Sequence, residues 1–111
     1  MITQRDELTA TLLQLPTRIQ VAEQRLLHAA TVAHSAREAL KDAEAAAVLG
    51  PHVDGKNEGQ RQAQVRLMTE GFRREVDRTA QALGAAKIER DKLVNELSAY
   101  RAVARLLGGG E

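Results

Sequence analysis

Aromatic side chains are nearly missing from this chain of 111 residues: it has one Phe (Phe72), one Tyr (Tyr100) and no Trp. A globular core of ordinary design would therefore lack the bulky rings that usually fill it. Cysteine is absent as well, which excludes disulfides and thiolate metal ligands and fits a reducing compartment. No apolar stretch approaches the ~20 residues needed to cross a bilayer as a helix, and MITQRDELTA shows no basic region followed by an apolar run. Sixteen basic and fifteen acidic residues leave a formal net charge of +1, with both signs interspersed. That pattern belongs to a solvated helix surface more than to a dedicated nucleic-acid binder. The expected location is the cytoplasm, with no membrane association.

Ala, Leu, Glu, Arg, Lys and Gln make up most of what is present, the palette of long helices and coiled coils. Apolar residues step by four and three without a miss through Leu8, Leu12, Leu15, Ile19, Ala22, Leu26, Ala29, Ala33, Ala36, Leu40, Ala43 and Ala47. Such a 3.5-residue stripe predicts a coiled-coil helix over about residues 3–49, bent near Pro16, whose ring would clash with the preceding turn. A second stripe runs through Val76, Thr79, Leu83, Ala86, Arg90, Leu93, Leu97, Tyr100, Ala104 and Leu107, interrupted only by Arg90. Val65, Met68 and Phe72 extend it upstream. The consecutive steps of four from Met68 to Phe72 to Val76 read as a stutter, which locally unwinds a supercoil. The second helix is expected over about residues 58–107, with a mobile tail at 108–111.

Between the stripes, Gly50 and Pro51 stop one helix and Asn57 caps the next. Gln60 is placed to complete a capping box with the backbone N–H of Asn57. A turn over 50–57 between two long helices predicts an all-α fold of one domain: an antiparallel two-helix coiled-coil hairpin. Pairing large layers with small ones sets Leu8 against Ala104, Leu12 against Tyr100, Leu15 against Leu97 and Ile19 against Leu93. The same register brings Arg18 near Glu96, Arg25 near Glu89 and Glu23 near Lys87. Nearer the turn it sets Ala36 against Phe72, Leu40 against Met68 and Ala43 against Val65.

GPHVDGKN matches the P-loop pattern up to Lys56, but Asn57 stands where Ser or Thr would bind Mg²⁺, and the residues before Gly50 read as a helix end. A helix stop followed by a helix cap accounts for the same residues. His28, His34 and His52 have neither a partner at i+4 nor a Cys neighbour, so solvated faces explain them better than a metal site. No enclosed pocket, catalytic group, cofactor or small-molecule substrate is expected of a two-helix rod, and the chain reads as non-enzymatic.

Leu13, Leu27, Val94, Val103 and Leu106 lie off the main stripe and form the candidate protein interface. Since two Ala-rich helices bury little area, two hairpins forming a four-helix bundle, a homodimer, are expected, together with a protein partner. Arg61, Arg66, Arg73, Arg74 and Arg78 make the start of the second helix its most basic part and are the candidate nucleic-acid contact. Glu70, Glu75 and Asp77 interrupt it, and Glu70 is placed to pair with Arg74. Arg90 reads as a snorkelling seam residue or a specificity device.

The segment DGKNEGQRQAQV resembles a GKNE-x-x-R-x-AQ stretch of small helical proteins of phage and prophage origin, some lying among replication and recombination genes. Gly55, Lys56, Asn57, Glu58, Arg61, Ala63 and Gln64 carry the match, over about a tenth of the chain. The resemblance implies no catalytic residue. It implies a phage-encoded accessory or inhibitor factor that binds another protein, or alternatively a nucleic-acid-associated factor in phage replication or recombination.

Overall fold

A computed structural model describes residues 3–108, so Gly109, Gly110 and Glu111 of the expected mobile tail lie outside the described residues. The fold is all-α. Three helices follow in order: α1 (Gln4–Leu49), α2 (Glu58–Met68) and α3 (Glu70–Gly108), and no strand occurs among the described residues. Gly108 belongs to α3.

α1 starts on a cap that the sequence signals as Thr3-x-x-Asp6 and that periodicity alone does not reveal. The Asp6 N–H donates to Thr3 Oγ1 at 3.2 Å, and the Thr3 N–H reaches Asp6 Oδ2 at 3.4 Å. Two of the helix's otherwise unpaired backbone donors are thereby engaged. Pro16 lies inside the helix, whose assignment continues unbroken through it. At the other end the Gly50 N–H donates to the Ala47 carbonyl at 3.1 Å, tightening the last turn. No glycine takes a positive φ among the described residues. The helix therefore stops here because Pro51 has no N–H to continue it, not because Gly50 reverses the chain.

The described residues divide into two compact units, the first from residues 3–28 and 84–108 and the second from residues 29–83. In the first unit Leu15, Ala22 and Leu93 form a buried cluster against which Ile19, Leu97 and Tyr100 pack. Gln4, Leu8 and Thr11 share a groove with Tyr100, Val103 and Leu107, and Arg18, Ala22 and Arg25 share another with Glu89 and Leu93. Numbers rise along α1 as they fall along α3, so these two segments run antiparallel. All twelve residues of the α1 stripe are buried or half-buried, along the whole helix. On α3 the residues from Val76 to Ala104 follow suit, but Leu107, placed on the stripe by its spacing, is exposed. It sits in the last turn of α3, where the groove it lines is open to solvent.

The interhelical charge pairs expected from the register do not close. Among the described residues Arg18–Glu96, Arg25–Glu89 and Glu23–Lys87 form no ion pair, although Arg25 and Glu89 line the same groove. An exposed pair gains too little to hold two long side chains in one geometry. Arg90 is half-buried and its Nε donates to Asp91 at 2.7 Å, so its head is served from its own helix, as snorkelling requires.

The second unit departs from the expected seam. Val65 is buried, but Met68 and Phe72 are exposed (46% and 45%), and the inward positions are Val65, Thr69, Arg73, Val76 and Thr79. The consecutive steps of four therefore fall at 65–69–73. Thr69 also separates α2 from α3: its ψ of 11° leaves the helical region. Backbone pairing nevertheless carries across it, with Thr69 N–H to the Val65 carbonyl at 3.0 Å and Arg73 N–H to the Thr69 carbonyl at 3.1 Å. Thr69 Oγ1 donates to the same Val65 carbonyl at 2.7 Å, and Thr79 Oγ1 to the Val76 carbonyl at 3.1 Å. Each buried hydroxyl is thus satisfied by its own helix, which removes the main cost of burying it. The α1 residues buried in this unit are Ala33, Ala36 and Ala47. Such small side chains allow close approach of backbones.

Leu15 is fully buried while its near neighbour Leu13 is 75% exposed. Leu15→Ala is expected to lower unfolding stability by about 2–5 kcal/mol. Leu13→Ala should change it by no more than about 0.5 kcal/mol. Urea titration followed by circular dichroism measures both.

Candidate functional site

The turn and the first two turns of α2 are the most densely hydrogen-bonded polar part of the molecule. Asn57 caps α2, its Oδ1 accepting from the Gln60 N–H at 2.9 Å. Gln60 returns the bond one residue earlier than expected: its Oε1 accepts from the Lys56 N–H at 2.8 Å, not from that of Asn57. Asn57 has extended backbone (φ −139°, ψ 170°), which aims the preceding amide at the helix end. Gln64, one turn further, spans the loop. Its Oε1 accepts from the Gly55 N–H at 2.9 Å, and its Nε2 donates to Asp54 Oδ1 at 2.8 Å. Arg61 completes the clamp, donating through Nη1 to the Gly55 carbonyl and through Nη2 to Glu58 Oε2, both at 3.2 Å.

Gly55, Lys56, Asn57, Glu58, Arg61 and Gln64 of the DGKNEGQRQAQV segment therefore all belong to one capping network. The glycine is required by proximity, since a Cβ at position 55 would lie 2.7 Å from Gln60 Cβ and 2.9 Å from the Arg61 nitrogen. The network also bears on the P-loop pattern. The N–H groups of Gly55, Lys56 and Gln60, which a phosphate would need, already donate to side-chain oxygens. The residues before Gly50 are helix.

No protein-family model matches this chain, and neither a curated protein nor a solved structure shows significant similarity to it.

The five arginines proposed as a nucleic-acid contact are mostly engaged with acids. Arg61 pairs with Glu58, Arg73 with Glu44 at 3.7 Å, Arg74 with Glu70 at 3.9 Å, and Arg78 with Glu75 through both Nε and Nη2. The Arg78 hydrogen bond is the main reason that the Glu75 carboxyl titrates below its usual range. Arg66 alone of the five has no acidic partner among the described residues. The Glu44–Arg73 pair is also the one ion pair between α1 and α3 among the described residues, and spacing within a helix could not have revealed it.

The five candidate interface residues Leu13, Leu27, Val94, Val103 and Leu106 are all exposed, and all belong to the first unit. The sequence reading missed further exposed apolar side chains there: Val21, Ile88 and Leu107. In the second unit Val48, Leu49, Leu67, Met68 and Phe72 are exposed. His28, His34 and His52 are exposed as well.

Gly55→Ala should destabilise the protein by more than about 1 kcal/mol, because the clash falls on the α2 cap. Gly84→Ala, a helix-interior position where a Cβ meets nothing within 4 Å, should instead stabilise by about 0.4–1 kcal/mol. Thermal unfolding of the two variants tests the pair. The Glu75 contribution has a defined sign. A carboxyl with a depressed folded-state pKa stabilises above its unfolded pKa, and that contribution is lost as pH falls through the folded value. Arg78→Gln should raise the Glu75 pKa toward the ordinary carboxylate value, read by carboxyl-carbon NMR titration.

Proposed function

We propose that the chain is a non-enzymatic interaction protein: an antiparallel coiled-coil hairpin that pairs with a second copy as a four-helix bundle and binds a protein partner. The observation that carries this reading is the set of exposed apolar side chains Leu13, Leu27, Val94, Val103 and Leu106 within one unit. The buried cluster of that unit holds only Leu15, Ala22 and Leu93, with Ile19, Leu97 and Tyr100 around it. A core so small leaves a lone hairpin marginal, and covering Leu13 and Leu106 would add apolar burial at about 25 cal/mol per Å². The resemblance of the turn segment supports a phage-encoded accessory or inhibitor factor as the setting, and the absence of cysteine supports the cytoplasm.

The second reading is a nucleic-acid-associated accessory protein using Arg61, Arg66, Arg73, Arg74 and Arg78. Arg66, which has no acidic partner among the described residues, favours it. The ion pairs of the other four count against it, because each phosphate contact would have to displace a carboxylate already in place.

Light scattering should give twice the chain mass. A Leu13→Ser, Val103→Ser, Leu106→Ser variant should return to the single-chain mass and lose capture of a protein partner from the source cell. A monomeric parent whose captures are unchanged by the triple substitution would remove this reading. Salt-sensitive DNA retention that is abolished by Arg66→Glu would establish the second.

A further inference from the structure

Asp54 followed by Gly55 is the one Asp–Gly step in the chain, and no Asn–Gly step occurs in it. At such a step a main chain reacts most readily with its own side chain. Glycine has no Cβ to shield its nitrogen or to restrict its dihedrals, so that nitrogen can reach the carboxyl carbon of the residue before it. Packing nevertheless demands glycine here. A Cβ at position 55 would lie 2.7 Å from Gln60 Cβ and 2.9 Å from the Arg61 nitrogen. Asp54 is itself exposed, so water reaches it.

Both groups that would react are held by one side chain. Gln64 Oε1 accepts from the Gly55 N–H at 2.9 Å, while Gln64 Nε2 donates to Asp54 Oδ1 at 2.8 Å. A backbone N–H can only donate and a carboxylate can only accept, so these partners fix which end of the amide faces which. Only a carboxamide meets both. A Glu at this position would bring no donor for Asp54, and a Lys no acceptor for Gly55. Arg61 Nη1 donates to the Gly55 carbonyl at 3.2 Å and holds the glycine from its other side.

We propose that Asp54–Gly55 is a latent site of backbone isomerisation and that Gln64 keeps it silent. When the turn opens, the Gly55 nitrogen forms a bond to Cγ of the protonated Asp54 carboxyl. The N–H proton and the carboxyl hydroxyl leave together as water, and a cyclic succinimide closes. Water then adds to either carbonyl of the ring. Addition at Cγ breaks the new bond and restores aspartate; addition at the Asp54 main-chain carbonyl breaks the original peptide bond and leaves isoaspartate, with the chain running through Cβ and Cγ. Nothing is oxidised or reduced, and water is the sole co-reactant. With Gln64 in place, the nitrogen's proton is engaged and the carboxylate is not free to turn onto it. Reaction therefore requires local opening that breaks both hydrogen bonds. Isoaspartate lengthens the backbone and carries its carboxylate on Cα, so Gln64 no longer finds its two partners where it held them. The modification accumulates with the time the turn has spent open, and it loosens the start of α2.

The full chain is incubated at neutral pH, and isoaspartate at position 54 is followed by peptide chromatography with electron-transfer fragmentation. The same chain unfolded in guanidinium chloride supplies the unprotected rate. Isomerisation of the folded parent should be slowed by the same factor, within about tenfold, as hydrogen exchange of the Gly55 amide. Gln64→Ala keeps a good helix former in α2. It should accelerate isomerisation at least about tenfold, as expected from losing both hydrogen bonds. Asn57→Ala removes the α2 cap but neither Gln64 bond, and should accelerate it clearly less. A folded parent that isomerises as fast as the unfolded chain overturns the proposal. So does Gln64→Ala at the parent's rate, or Asn57→Ala as fast as Gln64→Ala. The hydrogen-exchange comparison needs no variant: an unprotected Gly55 amide beside slow isomerisation overturns the proposal even where Gln64→Ala fails to fold.

Discussion

Burial of one narrow stripe along α1 is the constraint on which the other features rest. Its twelve residues keep a 3.5-residue period, and each is at least half-buried. Most of them are alanines toward the turn, and small side chains allow the backbones packed there to come close. Thr69 and Thr79 occupy buried positions and bond to the Val65 and Val76 carbonyls, while Phe72 and Met68 remain partly exposed. Toward the chain ends the stripe turns to leucine and isoleucine, and there Leu93, Leu97 and Tyr100 meet it.

Charge has a different part. The ion pairs seen are mostly between residues three or four apart on one helix, as with Glu38 and Lys41 or Glu70 and Arg74. Such pairs support a helix modestly but do not choose its partner. Register falls instead to the apolar layers, and the Glu44–Arg73 pair between helices sits where the inward face of α3 carries an arginine. The basic look of residues 61–78 is thus largely balanced in place. What survives is Arg66, which has no acidic partner among the described residues.

The turn shows how a motif can be read for chemistry it does not carry. Its glycine, amide and guanidinium groups invite a phosphate, yet Gln64, Gln60 and Asn57 fill the same N–H groups from within the chain. The segment is a cap with an unusually long reach: Gln64 closes on Gly55 across nine residues. A turn of this kind holds the start of α2 in a fixed relation to residues 54 and 55.

Periodicity made the helices legible, since a stripe repeating every 3.5 residues can be buried by no other backbone, and Pro51 and Asn57 marked where one helix ends and the next begins. Thr3-x-x-Asp6 was equally readable as a cap. The location of the stutter was not. Steps of four fit 68–72–76 by hydrophobicity, yet the positions turned inward step 65–69–73, with Arg73 half-buried among them. The same holds for Arg73, an ordinary surface arginine by sequence, which packing turns inward beside Glu44. Local pattern determined which segments are helices and which face of each is apolar. Tertiary structure alone decided which residues fit when two such faces close, because fit depends on the volume of the partner side chain, which lies far away in sequence.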